Sequence, residues 1–212
     1  MPKEPKKIIV DTNCYIRLYC SPLRPILGTV VSDYKLVTLT ELKLETNLNS
    51  DVIARNPWMA HADIQAELAA ACLKYREPKT SKIKSLLGPI RKMGDSILRQ
   101  YCQAQKTEKI RTLSAADALA LAAADIFDAS LATDEWPMTL AAQTILSGVE
   151  LFTSIGLLCL MEAAGSLTRE QRIETVRIWC MTSEQLPRDW QIEYKKLFKE
   201  DPPNGQSVGQ VP

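Results

Sequence analysis

The spacing of apolar residues along the chain predicts alternating strands and helices. Ile8-Ile9-Val10 is a short β-branched run, typical of a strand buried on both faces of a parallel sheet. Residues 34–39, 130–133 and 149–153 are also rich in β-forming residues and are predicted to be strands. Helical spacing fills the intervals between them. This order predicts an α/β fold, a three-layer α/β/α sandwich around a central parallel sheet of about four strands.

The helical segments fall before, between and after these strands. A short helical turn is predicted at 15–19, and residues 49–58 are predicted to form a loop. A helical insertion is expected over about 51–111, and C-terminal helices over about 154–199. We expect a single domain over residues 1–200 and a disordered tail over 201–212, which is rich in Pro, Gly and Gln. The individual helices are predicted at 60–76, at 80–105 with an interruption at Gly88-Pro89, and at 114–127, 137–147, 154–164, 168–181 and 189–199.

The net charge of +1 conceals two segments of opposite charge. From Lys74 to Arg111 there are eleven Lys or Arg residues and three acids, whereas Thr112–Thr168 holds seven acids and no Lys or Arg. A basic segment beside an acidic one suggests a polyanionic partner on one side and a metal cation on the other. The alternative is a pair of ordinary helical faces that neutralise each other.

Composition excludes several classes of site. The six cysteines are scattered without a C-x-x-C pair, which favours reduced thiols over a disulfide framework or a zinc site. The single histidine, His61, excludes a multi-histidine metal site and is interpreted as a helix-surface residue. Glycine-rich nucleotide loops and a G-x-S-x-G elbow are absent. Because no signal peptide or apolar stretch of membrane-spanning length is found, a cytoplasmic protein is expected.

Acidic residues stand at the ends of the predicted strands. Asp11, Glu41 and Asp134 each follow a strand, and Asp117 lies in the first turn of the helix that Ser114 opens. The carboxyl ends of parallel strands meet at one edge, so these acids can meet there. Several carboxylates without a cation repel one another, and Mg²⁺ or Mn²⁺ relieves this because it prefers oxygen ligands. Such a site can activate water for phosphodiester cleavage. A purely helix-capping role remains the alternative for Asp11 and Asp117.

Four short segments carry the acids in a recurring order along the chain. They are Ile8-Ile9-Val10-Asp11-Thr12-Asn13, Thr40-Glu41-Leu42, Leu113-Ser114-Ala115-Ala116-Asp117-Ala118-Leu119 and Leu131-Ala132-Thr133-Asp134. Together they resemble the PIN-domain family of metal-dependent ribonucleases, which includes the VapC-type toxins. The resemblance covers roughly residues 8–48 and 113–165, whereas the helical segment 51–111 is longer than in compact toxins of the family.

The resemblance implies which residues form the site. Asp11, Glu41, Asp117 and Asp134 are implied as the metal-binding and catalytic acids. Supporting or substrate contacts are implied for three neighbours, which are Thr12, Asn13 and Thr133. Two further acids remain alternative members of the site. Glu45 is an alternative to Glu41, and Glu135 could share or replace part of the role of Asp134.

The resemblance also implies an activity and partners. The expected activity is a Mg²⁺- or Mn²⁺-dependent endoribonuclease, the toxin of a type II toxin–antitoxin pair, with an antitoxin as its protein partner and a homodimer as its assembly. The alternatives are a structure-specific DNA nuclease that uses the same site, and a catalytically silent PIN-like module that binds RNA or protein. The RNA phosphates are predicted to contact the basic helices at Lys82, Lys84, Arg91 and Lys92.

Overall fold

A computed structural model describes residues 4–40, 50–182, 186–187 and 189–203. The strands of its sheet are β1 (Lys6–Val10), β2 (Val30–Val31), β3 (Tyr34–Val37), β4 (Ser130–Ala132) and β5 (Leu151–Phe152). Their order is β2-β3-β1-β4-β5, in which β1 is parallel to β3 and β4, and β4 is parallel to β5. The short β2 pairs antiparallel with β3 and was not predicted. The sheet is therefore mixed, with four parallel strands and one antiparallel edge.

Helices make up most of the rest of the described chain. None of those in the described ranges combines the length and apolar character needed to cross a membrane. Two 3-10 turns lie at Arg24–Ile26 and Pro57–Ala60. The helices are α1 (Thr12–Tyr19), α2 (Ser50–Arg55), α3 (Ala62–Ala71), α4 (Lys79–Ala104), α5 (Ala115–Phe127), α6 (Trp136–Ile145), α7 (Ser154–Ala163), α8 (Arg169–Met181) and α9 (Trp190–Phe198).

Alternate residues of β1 face opposite sides of the sheet, as the pleat of a strand requires. Ile8 and Val10 belong to a core cluster with residues of α1, α3, α7 and α8. Ile9 belongs to a second cluster, with residues of α4, α5 and α6. Because each face of the sheet has its own helical cover, the arrangement is α/β and consistent with a three-layer fold.

Some element predictions were wrong within the helical insertion. Residues 49–58, predicted as a loop, include α2 and the beginning of a 3-10 turn. The helix predicted at 60–76 ends at Ala71, because the chain then becomes extended and Cys72 forms a parallel bridge with Thr38. No interruption occurs at Gly88-Pro89, since α4 continues through Pro89. The buried stripe that includes Ile83, Ile90 and Leu98 holds α4 against α5 and α6, and this packing outweighs the hydrogen bond lost at proline.

A buried arginine joins the three C-terminal helices. Arg172 on α8 is 2% exposed and donates to Glu162 of α7 and to the hydroxyl of Tyr194 on α9. It also pairs with Glu200 at 2.6 Å, and its guanidinium lies 3.9 Å from the ring centroid of Phe198. These contacts fasten the C-terminal helices to one another without involving the sheet edge described below.

The long helix α4 runs from the amino-terminal edge of the sheet to the carboxyl-terminal edge. At its start, Lys79 Nζ lies 4.1 Å from the ring centroid of Phe127, the last residue of α5 before β4 begins. Near its end, the ring of Tyr101 lies 5.2 Å from that of Trp136, the first residue of α6 after β4 ends. The end of α4 therefore lies near the carboxyl ends of the strands.

Gly94 allows α4 to pack closely in the middle of its length. A Cβ atom at this position would lie 2.0 Å from Cδ1 and 2.9 Å from Cγ of Leu113, whereas one at Gly88 would meet nothing within 4 Å. Both alanine substitutions reduce the entropy cost of glycine in a helix, but only Gly94→Ala overfills a packed contact. We expect Gly94→Ala to be about 1–3 kcal/mol less stable than Gly88→Ala in urea unfolding. Equal stabilities would contradict this packing.

Candidate functional site

A cavity of about 210 Å³ opens at the carboxyl ends of β1 and β4. Three acids from different segments line it: Asp11, Asp117 and Glu135. No Lys, Arg or His is present among the lining residues that the structure describes. The cavity therefore gathers negative charge at the edge where open α/β sheets bind ligands. The apolar part of its wall is formed by Ile9, Val10, Leu39, Ala116, Leu119, Ala120 and Met138.

Asp11 directly follows β1 and caps α1. Its Oδ1 accepts a hydrogen bond from the backbone N–H of Cys14 at 2.7 Å, and the hydroxyl of Thr133 bonds to the same carboxylate. Burial raises the pKa of Asp11 to about 6; the hydrogen bonds from Thr133 and Cys14 oppose this shift, and the charge of Glu135 adds to it. Asp11 is thus both a helix cap and an acid of the cavity, so the two interpretations of its role are compatible.

Asp117 lies in the first turn of α5 and takes part in the predicted capping box. Its N–H donates to the Ser114 hydroxyl at 3.0 Å, and its Oδ2 accepts from the Ser114 N–H at 3.0 Å. The box therefore forms with Asp in the place where Glu or Gln is usual. Because the box uses Oδ2, it leaves Oδ1 outside the cap, while the side chain still lines the cavity.

Glu135 lies between β4 and α6 and faces the same cavity. Its backbone N–H donates to the Thr133 hydroxyl at 3.1 Å, and its Oε1 accepts from the side-chain amide of Asn13. The two segments that follow β1 and β4 are thus joined by side chains at the rim. Glu135 was predicted only as an additional acid, yet it occupies the cavity wall together with Thr12 and Asn13.

Asp134 is placed differently from the sequence-based expectation. It lies outside the lining of the cavity, and its side chain is 4% exposed. Its Oδ2 accepts from the guanidinium of Arg17, which is 3% exposed, and from the Ser154 hydroxyl. Its Oδ1 accepts from the Ser154 backbone N–H at 2.8 Å, and Cys14 Sγ lies 3.4 Å from Oδ2. The protein itself therefore compensates the charge of this carboxylate, whereas the neighbouring Glu135 lines the cavity.

Two predicted acids cannot be placed. Glu41 and Glu45 lie outside the described residues. Within the described ranges, no three Asp, Glu, His or Cys side chains form a group that could hold a metal ion by itself. The described part of the site consists of the three acids of the cavity wall, together with the polar contacts from Thr133 and Asn13.

The predicted phosphate-binding residues are exposed but spread along α4. Lys82 and Lys84 lie near its start, roughly 25–28 Å along the axis from Tyr101 near its end. Arg91 and Lys92 lie near its middle, about 15 Å from the same point. Residues 105–114 connect the end of α4 to the cavity and carry additional cations that were counted in the basic segment but not singled out: Lys106, Lys109 and Arg111.

Arg17 was the main residue that the sequence analysis missed. It lies within the run Tyr15-Ile16-Arg17-Leu18-Tyr19, in which both neighbours on each side are buried. A buried cation such as Arg17 needs an acid as its ion-pair partner, because an unpaired buried charge is costly. The pattern could therefore have indicated that one of the acids at the strand ends pairs with Arg17. Its backbone carbonyl also accepts from Trp179 Nε1 at 2.8 Å, which ties α1 to α8.

The three carboxylates of the cavity wall are of the ligand type that Mg²⁺ and Mn²⁺ prefer. Burial raises the pKa of Asp11, and no Lys, Arg or His of the described lining offsets its charge. Comparison of the chain with known protein families, with curated proteins and with solved structures finds no match in any of the three.

Proposed function

We propose that the chain is a metal-dependent nuclease that hydrolyses RNA phosphodiester bonds at the acidic cavity. The observation that carries this proposal is the meeting of Asp11, Asp117 and Glu135 in one cavity whose described lining contains no cation. Asp11 and Asp117 are two of the acids implied by the PIN-domain resemblance. Glu135 replaces its neighbour Asp134 in the proposed set, and Glu41 completes it as an expectation from the sequence.

Mg²⁺ or Mn²⁺, held by these carboxylates, would supply an activated water and charge stabilisation for the departing oxygen. The chain's own contribution is to hold the acids in place. Thr133 bonds to Asp11 and accepts from the N–H of Glu135, so one hydroxyl positions two acids. Asn13 holds Oε1 of Glu135.

RNA is preferred as substrate because of the PIN-domain resemblance and the basic segment 74–111, which can attract a polyanion. The assignment as the toxin of a toxin–antitoxin pair rests on the resemblance alone. It is tested by the neighbouring reading frame, where a small gene for a DNA-binding protein is expected. A structure-specific DNA nuclease remains the second candidate, because the same acids and cations can act on single-stranded DNA.

Replacing Asp117 with asparagine should reduce Mg²⁺- or Mn²⁺-dependent cleavage of single-stranded RNA by roughly 100-fold or more, because the cavity loses a charged metal ligand. Asn can still accept a hydrogen bond from the Ser114 N–H, so the capping box is largely kept. Asp125→Asn is the matched control, since Asp125 is exposed on the same helix and outside the cavity lining.

The outcome is read from gel-resolved cleavage products in the presence of Mg²⁺, Mn²⁺ or a chelator. Asp125→Asn should cleave as the wild type does, and the chelator should stop both proteins. Equal loss of activity in the two variants, or cleavage that continues in the chelator, would contradict the proposed site. Faster cleavage of single-stranded DNA than of RNA would favour the second candidate.

A further inference from the structure

Two aromatic rings lie exposed next to the acidic cavity. Trp136 is 42% exposed and Tyr101 is 41% exposed, and their ring centroids are 5.2 Å apart at an interplanar angle of 40°. Trp136 directly follows Glu135, which lines the cavity, so its Cα is about 3.8 Å from that of the acid. Exposed aromatic side chains that pair beside a polar cavity offer an apolar surface for a ligand.

Positive charge lies beside this aromatic pair. The connection 105–114 begins at the end of α4, one turn after Tyr101, and ends at Ser114 in the cavity wall. It carries three exposed cations, Lys106, Lys109 and Arg111, and one acid, Glu108. Among the ion pairs of the described residues, none includes these three cations.

The connection has a defined conformation against the end of α4. The N–H of Thr107 donates to the Cys102 carbonyl oxygen at 3.0 Å, and its hydroxyl donates to the same oxygen at 3.3 Å. A backbone hydrogen bond from Arg111 reaches the Cys102 thiol. The cations are therefore presented from a folded segment that connects the end of α4 to Ser114 of the cavity wall.

We infer that Tyr101, Trp136 and the cations of residues 106–111 form a docking platform for single-stranded RNA. Unpaired bases stack on the two rings, and the sugar–phosphate backbone follows Lys106, Lys109 and Arg111 towards the cavity. Base–aromatic stacking tolerates any sequence, and basic side chains track the backbone. The platform lies at the carboxyl edge of the sheet, whereas Lys82 and Lys84 lie at the far end of α4. This inference rests on the proposed function, because it delivers the strand to the proposed site.

Binding is measured separately from cleavage. The probe is a fluorescein-labelled 12-nucleotide oligouridine with 2′-O-methyl sugars, titrated with the full chain in a chelator and followed by fluorescence anisotropy. Trp136→Leu and Tyr101→Leu should each weaken binding by roughly 10-fold, whereas Trp136→Phe and Tyr101→Phe should largely restore it, because a ring face remains. On an oligomer of the same length without bases, the leucine variants should bind as the wild type does.

A second set of binding measurements tests the cations by comparing charge reversal at two pairs of lysines. Lys106→Glu/Lys109→Glu should weaken binding and reduce the slope of log affinity against log salt by about 1–2. Lys196→Glu/Lys199→Glu, the same change at two exposed lysines near the end of α9 and outside the basic segment, should leave the affinity and the salt slope nearly unchanged. An equal loss from the two pairs, or unchanged binding by Trp136→Leu, would overturn the platform.

The other outcomes separate the platform from the proposed function. RNA binding that depends on Trp136 in a protein without nuclease activity would support the platform and reject the nuclease. Cleavage that persists in the leucine variants, together with unchanged RNA binding, would support the nuclease and reject the platform. A change in sedimentation mass caused by Trp136→Leu would show that a second copy of the chain covers the rings, which would also overturn the inference.

Discussion

Asp11→Asn should give a protein that is more stable than the wild type at pH 8 and inactive as a nuclease. Burial raises the pKa of Asp11 to about 6, so the ionised carboxylate destabilises the folded state at neutral pH. Asparagine removes the charge and can still accept the hydrogen bond from the Cys14 N–H that caps α1. We expect the free energy of unfolding at pH 8 to be about 1–3 kcal/mol higher in Asp11→Asn than in the wild type, which corresponds to roughly 3–10 °C in Tm.

The pH dependence follows from the direction of the shift. The folded protein holds the proton of Asp11 up to a pH of about 6, whereas the unfolded chain releases it near the ordinary value of 3.8. The stability of the wild type should therefore fall, relative to Asp11→Asn, as the pH rises from about 4 to 6, and the difference should be constant above that.

Thermal unfolding with and without Mg²⁺ completes this test. A cation that neutralises the cavity should raise the Tm of the wild type at pH 8 and should have little effect on Asp11→Asn. A variant less stable than the wild type at pH 8, or one that Mg²⁺ stabilises equally, would contradict the buried and uncompensated charge assigned to Asp11. Cleavage at the wild-type rate by Asp11→Asn would reject its place in the nuclease site.

Asp134→Asn should destabilise the protein strongly, by about 3–5 kcal/mol in the free energy of unfolding. The substitution leaves the guanidinium of Arg17, 3% exposed, without its charged partner. Asp128→Asn is a suitable control because Asp128 is an exposed acid at the end of α5, and asparagine tolerates its left-handed backbone. The control should stay within about 0.5 kcal/mol of the wild type.

A second substitution separates a structural role for Asp134 from a metal-binding role. Arg17→Met removes the uncompensated cation, so Arg17→Met/Asp134→Asn should be more stable than Asp134→Asn alone in urea unfolding. If Asp134→Asn instead kept the wild-type stability and lost Mn²⁺ affinity, Asp134 would belong to the metal site. The exchange of Asp134 for Glu135 in the proposed set would then be wrong.

The strand pattern was the part of the fold that the sequence predicted best. Ile8, Ile9 and Val10 face two different helical layers, as a β-branched run with no polar side should. The edge strand β2 has only two residues and therefore too short a pattern to be recognised. Pro89 was misread for a different reason: local propensity favoured a break, but the packing of α4 on α5 and α6 decided the outcome.

The site shows the same division between local and long-range information. Asp11 and Asp117 could be located because a strand end and a capping box are local signals. Spacing could not decide between Asp134 and Glu135, since the two acids are adjacent in the chain and both lie within three residues of the end of β4. That choice depends on Arg17, which lies 117 residues earlier in the chain and reaches Asp134 only in the folded protein.

The central claim is that the acidic cavity cleaves RNA with the help of a divalent cation. The most direct measurement is the rate of single-stranded RNA cleavage by the wild type, Asp117→Asn and Asp125→Asn in Mg²⁺ or Mn²⁺ and in a chelator. We predict cleavage by the wild type and Asp125→Asn only when the cation is present, and a loss of roughly 100-fold or more in Asp117→Asn. Cation-independent cleavage, or equal rates for all three proteins, would contradict the claim.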